Sequence, residues 1–302
     1  MIWCAALLGL YVLVNVLVYA VSTLRYRRWC ARQPWTATGL LPAAEPFVMG
    51  EGKDAVLLVH GFNDVPYVWT RMAPLIAAKG YHVAALRLPG FGTRHPEEAN
   101  CLADWREPIA TRLRELAQTH QRVFLCAHSM GCALAIDAAV RVPAVAGLIL
   151  LAPLFRPAKV FSPIIPFEWR LALHHVLLPL HSVARSMFRE HPRAQDDPDF
   201  TYGRDGFMRF RHLQMLFGLL AQNRRRDKGV FRVPALVMLA GEDQVVDPEA
   251  TRQWFADYPA PHTLEVVPGA KHAIPQSVGW QNVVTRICAF MADTPRCERD
   301  GV

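Results

Sequence analysis

From residue 51 onward the sequence alternates short apolar runs with stretches of helical periodicity, and few architectures can absorb that rhythm. The runs at 55–60, 82–86, 123–127, 145–151, 235–240 and 263–267 are rich in Val, Leu and Ala and lack strict in–out alternation. That pattern suits strands covered on both faces. Between them, 67–79, 105–120, 130–140, 248–258 and 276–291 read as helices. Strands separated by helices pair in parallel, so the expected class is α/β, a mostly parallel sheet with helices on both faces. With 52% hydrophobic and 20% charged residues among 302, the chain has ample core and is too apolar for a disordered tail. Its seven cysteines are scattered without a C-x-x-C pair, which argues against a zinc knuckle or a disulfide framework and for free thiols.

The N-terminus follows a different rule. Residues 2–24 are 23 positions without a formal charge, with Asn15 the only strongly polar interruption. As a helix at about 1.5 Å per residue they would cross a hydrocarbon layer of roughly 30 Å. The basic cluster Arg25, Arg27, Arg28 and Arg32 follows this run instead of preceding it, unlike a cleaved signal peptide. By the positive-inside tendency the remainder would face the cytoplasm, with Tyr26, Trp29 and Trp35 at the interface. The expected organisation is a single-pass membrane anchor over 1–24, a juxtamembrane linker over 25–50 containing Pro34, Pro42, Pro46 and Gly50, and a globular domain over 51–302.

The βα rhythm breaks once, between 154 and 232, where no convincing strand is visible and apolar clusters fall at 169–173, 176–180 and 215–220. An insertion of that length is expected to carry helices and a role of its own. It holds 14 basic and 7 acidic residues, which accounts for the whole formal charge of +7. A charge confined to one segment lacks the fold-wide footprint of a nucleic-acid binder. The run Arg224, Arg225, Arg226 and Lys228 reads as a solvated face, with attraction to anionic lipid headgroups as the more specific option.

The residues that carry chemistry begin at Ala127-His128-Ser129-Met130-Gly131, after one strand and before a helix. A serine on such a sharp turn projects its hydroxyl above the sheet edge, provided that small neighbours let strand and helix approach. The hydroxyl needs a base near neutrality, and imidazole provides one. Of twelve histidines, His272 in the loop after the last strand emerges on the same edge as Ser129. His60 and His128 suit structural hydrogen bonds, while His174, His175, His181, His191 and His212 belong to the insertion. An acid must orient the base. The segment 241–248 offers Glu242, Asp243 and Asp247; Asp247 before Pro248 already makes sense as a helix cap, so Asp243 is preferred and the other two stay open. Oxyanion donors would be the backbone N–H groups of Met130 and Phe62, the latter in the loop His60-Gly61-Phe62.

Taken in order, His60-Gly61-Phe62, Leu88-Pro89-Gly90-Phe91-Gly92, the Ser129 elbow, Gly241 to Asp247 and Gly269 to His272 resemble the landmarks of an α/β-hydrolase over nearly all of 50–292. The pattern is similar to the monoacylglycerol-lipase, lysophospholipase and carboxylesterase branch. Two positions depart from it: Ala127 stands at the first elbow position, and Asp243 lies only two residues after Gly241. The resemblance implies a Ser129, Asp243 and His272 triad, a cap over 154–232, no metal and no cofactor. It also implies hydrolysis of lipophilic carboxylic esters through an acyl-serine. A thioesterase or acyltransferase on the same triad, or a silent hydrolase-fold binding scaffold, are the alternatives. Asp104 reads as a helix cap with Glu107, and Cys126 and Cys132 as buried, inert thiols.

Overall fold

The computed structural model describes residues 2–161, 163–186 and 204–295; His191 and Cys297 lie outside them. The first element is helix α1 (Ile2–Cys30), followed by strand β1 (Phe47–Met49), β2 (Asp54–Val59), α2 (Met72–Ala78), β3 (Tyr81–Leu86), α3 (Leu102–Thr119), β4 (Val123–His128), α4 (Met130–Arg141) and β5 (Val145–Leu151). The insertion contributes α5 (Phe167–Leu177), β6 (Val183–Arg185), β7 (Phe207–Arg209) and α6 (Phe210–Arg225). The chain then closes with β8 (Ala235–Ala240), α7 (Pro248–Phe255), β9 (His262–Val267) and α8 (Trp280–Asp293).

Seven strands form one sheet in the order β1-β3-β2-β4-β5-β8-β9, parallel throughout except for β1 against β3. The central strands β4 and β8 are buried at every position, which explains why their sequences run apolar without alternation. Edge strand β9 is exposed or half-buried at all but its last position and carries Glu265, paired with Arg286 of α8. One side of the sheet is covered by α3, whose Trp105, Ile109, Leu113 and Leu116 recur at helical spacing, and by α4. The other is covered by α2 and by the Val283, Val284, Ile287 and Met291 face of α8. This is the α/β-hydrolase layering expected from the pattern.

Three features differ from the sequence reading. The stretch expected as a linker contains β1, and its Trp29, Leu41 and Ala44 are buried, so it is packed. The insertion does contain strands, β6 and β7, paired antiparallel; at three residues each they are too short to leave a periodic signal. Asp104 is not the first cap residue of α3: it sits one turn in, where its carboxylate accepts the Asn100 and Cys101 N–H groups at 2.7 and 2.8 Å.

Helix α1 is long and apolar enough to cross a membrane, and most of its surface is exposed. Its polar interruption is accounted for. Asn15 is buried against the insertion and donates to the Leu177 carbonyl at 3.2 Å, while the Tyr11 hydroxyl donates to the Val176 carbonyl at 2.9 Å. Beside α1, helix α5 exposes Trp169, Leu173, Val176 and Leu177, so the two elements share one apolar surface.

Candidate active site

Ser129 links β4 to α4 with φ 55° and ψ −117°, a conformation that costs a side-chain-bearing residue about 1–3 kcal/mol. The strain is held by packing on both sides. The Ser129 N–H donates to the Leu151 carbonyl at 3.0 Å, and its own carbonyl accepts from Cys132 and Leu154 at 3.1 and 3.3 Å. Gly131 is obligatory here, because a Cβ would lie 2.7 Å from the Val59 and His60 carbonyl oxygens. Ala127, fully buried in β4, is small enough for the same approach.

His272 stands beyond β9 with Nε2 2.9 Å from the Ser129 Oγ and Nδ1 2.9 Å from Asp243 Oδ2. The acid and histidine loops are tied together: Gly241 N–H donates to the Val267 carbonyl at 3.0 Å, and Glu242 N–H to the Ala270 carbonyl at 2.9 Å. The second Asp243 oxygen accepts the Val245 and Val246 N–H groups at 2.8 and 2.9 Å. Burial by itself would raise the Asp243 pKa, but the His272 ring and these hydrogen bonds outweigh it and hold the carboxyl below its usual range. Asp247 is used otherwise: it caps α7 through the Glu249 N–H and pairs with Arg156 at 2.7 Å. Glu242 is exposed.

The loop 60–62 lies against the serine, since a Cβ on Gly61 would fall 3.1 Å from the Ser129 Cβ. Among the described residues, neither the Phe62 nor the Met130 N–H donates to a protein acceptor. His60 braces this loop. Leu88 N–H donates to its Nε2 at 3.0 Å, so the proton is on Nδ1, which donates to the Gly61 carbonyl at 2.8 Å. His128 does the same for the base, with Nε2 donating to the His272 carbonyl at 3.0 Å. Burial lowers both histidines to about 4, so both stay neutral. Cys126 and Cys132 flank the elbow fully buried, and burial pushes both thiols up, away from reactivity.

A cavity of about 70 Å³ opens over Ser129 and His272, walled by Phe62, Leu154, Phe167, Leu213, Leu216 and Phe217. Five of those six come from the insertion, which supplies most of the apolar wall. Asp64 and Arg204 also line the cavity and face each other at 3.6 Å. That ion pair was not legible as a site feature, because its partners lie far apart in sequence, whereas His60 and His128 make the structural hydrogen bonds expected of them. The cap itself is fastened by Asp137 of α4, which is buried and pairs with Arg106, Arg141 and Arg226 at 2.9, 2.7 and 2.5 Å. Arg224 meets Glu168 and Lys228 meets Asp257, so three of the four residues in the basic run 224–228 are engaged within the protein.

The sequence pattern of the family described as "Serine aminopeptidase, S33" matches residues 50–276, which span both loops and the elbow. The chain belongs to this family. A relative, the thermostable monoacylglycerol lipase of Bacillus sp. (strain H-257), is 34% identical over 111 residues, covering 36% of this chain and 44% of that protein. The chain thus matches less than half the length of that curated relative. Among solved structures, one of the metagenome-derived lipolytic enzymes LipS and LipT aligns with TM-score 0.71 and 23% identity over 84% of this chain and 99% of its own. The monoacylglycerol lipase of Paleococcus ferrophilus aligns with TM-score 0.70 and 17% identity over 83% and 99%. Both likenesses concern the fold.

Proposed function

We propose that the protein is a membrane-associated serine hydrolase cleaving carboxylic esters of lipophilic acyl substrates. The observation that carries the reading is the continuous hydrogen-bonded line from Ser129 Oγ through His272 to Asp243, 2.9 Å at each step, beneath an apolar cap. In the first half-reaction Ser129 Oγ attacks the ester carbonyl and passes its proton to His272 Nε2, while Asp243 stabilises the imidazolium. The Phe62 and Met130 N–H groups receive the oxyanion, each worth about 3–4 kcal/mol when well placed. Collapse expels the alcohol with the proton from His272. Water then attacks the acyl-serine by the same route in reverse and releases the acid. No step calls on a metal or cofactor.

The apolar walls Phe62, Leu154, Phe167, Leu216 and Phe217 favour an acyl chain, and the monoacylglycerol lipase relative points the same way. The family description names a peptidase, but a free peptide ammonium would need an unneutralised carboxylate near the serine. Asp64, the one acid among the described residues lining the cavity, faces Arg204. The apolar surface shared by α1 and α5 would hold the catalytic domain at the bilayer, with Arg25, Arg27, Arg28 and Arg32 on the cytoplasmic side. A panel of p-nitrophenyl esters, monoacylglycerols, lysophospholipids and acyl-CoAs tests substrate class. Preference for an uncharged acyl ester supports the proposal, whereas exclusive turnover of acyl-CoA, or of aminoacyl amides, would replace it.

A further inference from the structure

Where α1 leaves its apolar stretch, it does not stand clear of the protein. A cavity of about 1080 Å³ opens between its C-terminal half and the β6–β7 strand pair of the cap, separate from the cavity over Ser129. One wall is a single helix face, Leu17, Val21, Arg25 and Arg28, at steps of three or four residues, continued by Arg32 in the following turn. The opposite wall is Val183, Ala184 and Phe207, with His181 and Arg185 at its side. The composition is graded along the helix. Leu17, Val18 and Val21 line one end, and the arginines begin at Arg25, about 12 Å further along the axis from Leu17 at 1.5 Å per residue.

Among the described residues no carboxylate lines this cavity, and Arg25, Arg28 and Arg32 have no ion-pair partner. Three arginines lining one crevice favour an anion between them, and guanidinium matches phosphate oxygens in pairs. The apolar end lies on the side toward the middle of the proposed membrane segment. The cationic end lies at its boundary, where lipid phosphates are found. We propose that this crevice is a binding site for one anionic glycerophospholipid, its phosphate held by Arg25, Arg28 and Arg32 and the start of its acyl chains lying against Leu17, Val21 and Phe207. The inference rests on the membrane reading of α1. It moves the lipid contact from the run at 224–228, which is largely spent on internal pairs, to the joint between anchor and cap. A lipid there bridges α1 to the strand pair that precedes α6, and so braces the cap from the membrane side.

The test uses the full chain in a non-ionic detergent, titrated with dioleoylphosphatidylglycerol, dioleoylphosphatidylcholine or inorganic phosphate, and read by native mass spectrometry and by melting temperature. The expected result is one retained phosphatidylglycerol per chain and a raised melting temperature, with phosphatidylcholine and inorganic phosphate giving neither. Arg25→Gln/Arg28→Gln/Arg32→Gln should bind phosphatidylglycerol roughly a hundredfold more weakly. Arg28→Gln alone should show a smaller loss in the same direction, which keeps the test open if the triple variant folds poorly. Arg224→Gln/Arg225→Gln, a comparable loss of charge elsewhere, should leave binding unchanged. Equal weakening by the Arg224→Gln/Arg225→Gln control, equal retention of phosphatidylcholine, or the same shift from inorganic phosphate would each overturn the site. Carbonate extraction of native membranes reads the anchor separately: release of the full chain there refutes the membrane reading, whatever the detergent titration shows.

Discussion

The two aspartates of the acid loop differ in what their oxygens touch. Asp243 spends one oxygen on two backbone N–H groups and the other on His272, whereas Asp247 is held by Arg156 and the start of α7. Asp243→Asn should therefore lower kcat on p-nitrophenyl butyrate by on the order of 10⁴-fold. Asp247→Asn, which keeps a cap acceptor and loses only the partly exposed Arg156 pair, should leave kcat within a few-fold and cost no more than about 1 kcal/mol of stability; the reverse ranking would exchange their roles. A different acid sets a pH dependence of stability. Burial pushes the Asp205 carboxyl up to about 7, only partly offset by the Gly92 N–H that it accepts at 2.8 Å. Because the folded pKa is raised, the native state keeps a proton that the unfolded chain releases from about pH 4 upward. The carboxyl's contribution is thus neutral at pH 4 and grows more destabilising until pH passes about 7, where it levels off. Asp205→Asn keeps a hydrogen-bond acceptor without that penalty. Its melting temperature should rise relative to wild type as pH goes from 5 to 8, and a gap independent of pH would contradict the assignment.

Among the elements, α6 is the one whose docking decides the shape of the site. Its Leu213, Leu216 and Phe217 roof the cavity, and just past its end Arg226 closes on Asp137 of α4. Asp137→Ala leaves buried guanidinium groups of Arg106 and Arg226 without their anion and should cost roughly 3–5 kcal/mol. Urea unfolding measures it, and a loss under 1 kcal/mol would show that the cap is held mainly by apolar contacts. The same element shows where sequence reading stops. The strands, the elbow, His272 and Asp243 were legible because each depends on local pattern, a covered apolar run or a small residue beside a turn. The apolar half of α6 was legible as the cluster at 215–220. The arginine pairing was not: Arg224 to Arg226 look like a solvated run until Asp137 of α4, 89 residues earlier than Arg226, supplies the partner for one of them. Likewise the helix α1 pattern predicted length and apolarity but not that Asn15 would lie against α5.

For the whole molecule, the proposed function requires a catalytic domain held at a membrane, with the cap beside α1. The full chain should remain in the pellet after carbonate treatment, and a chain lacking residues 2–24 should lose part of that retention, keeping only what the exposed α5 surface of Trp169, Leu173 and Val176 provides. Complete release of the full chain would remove the membrane from the account but leave the hydrolase in place. That central claim, a nucleophilic serine activated through His272, is reached most directly by labelling with a fluorescent fluorophosphonate. The wild-type chain is predicted to label covalently in detergent and Ser129→Ala to lose all labelling with its fold intact by circular dichroism. A folded wild-type chain that stays unlabelled, or a Ser129→Ala chain that labels as wild type does, would contradict it.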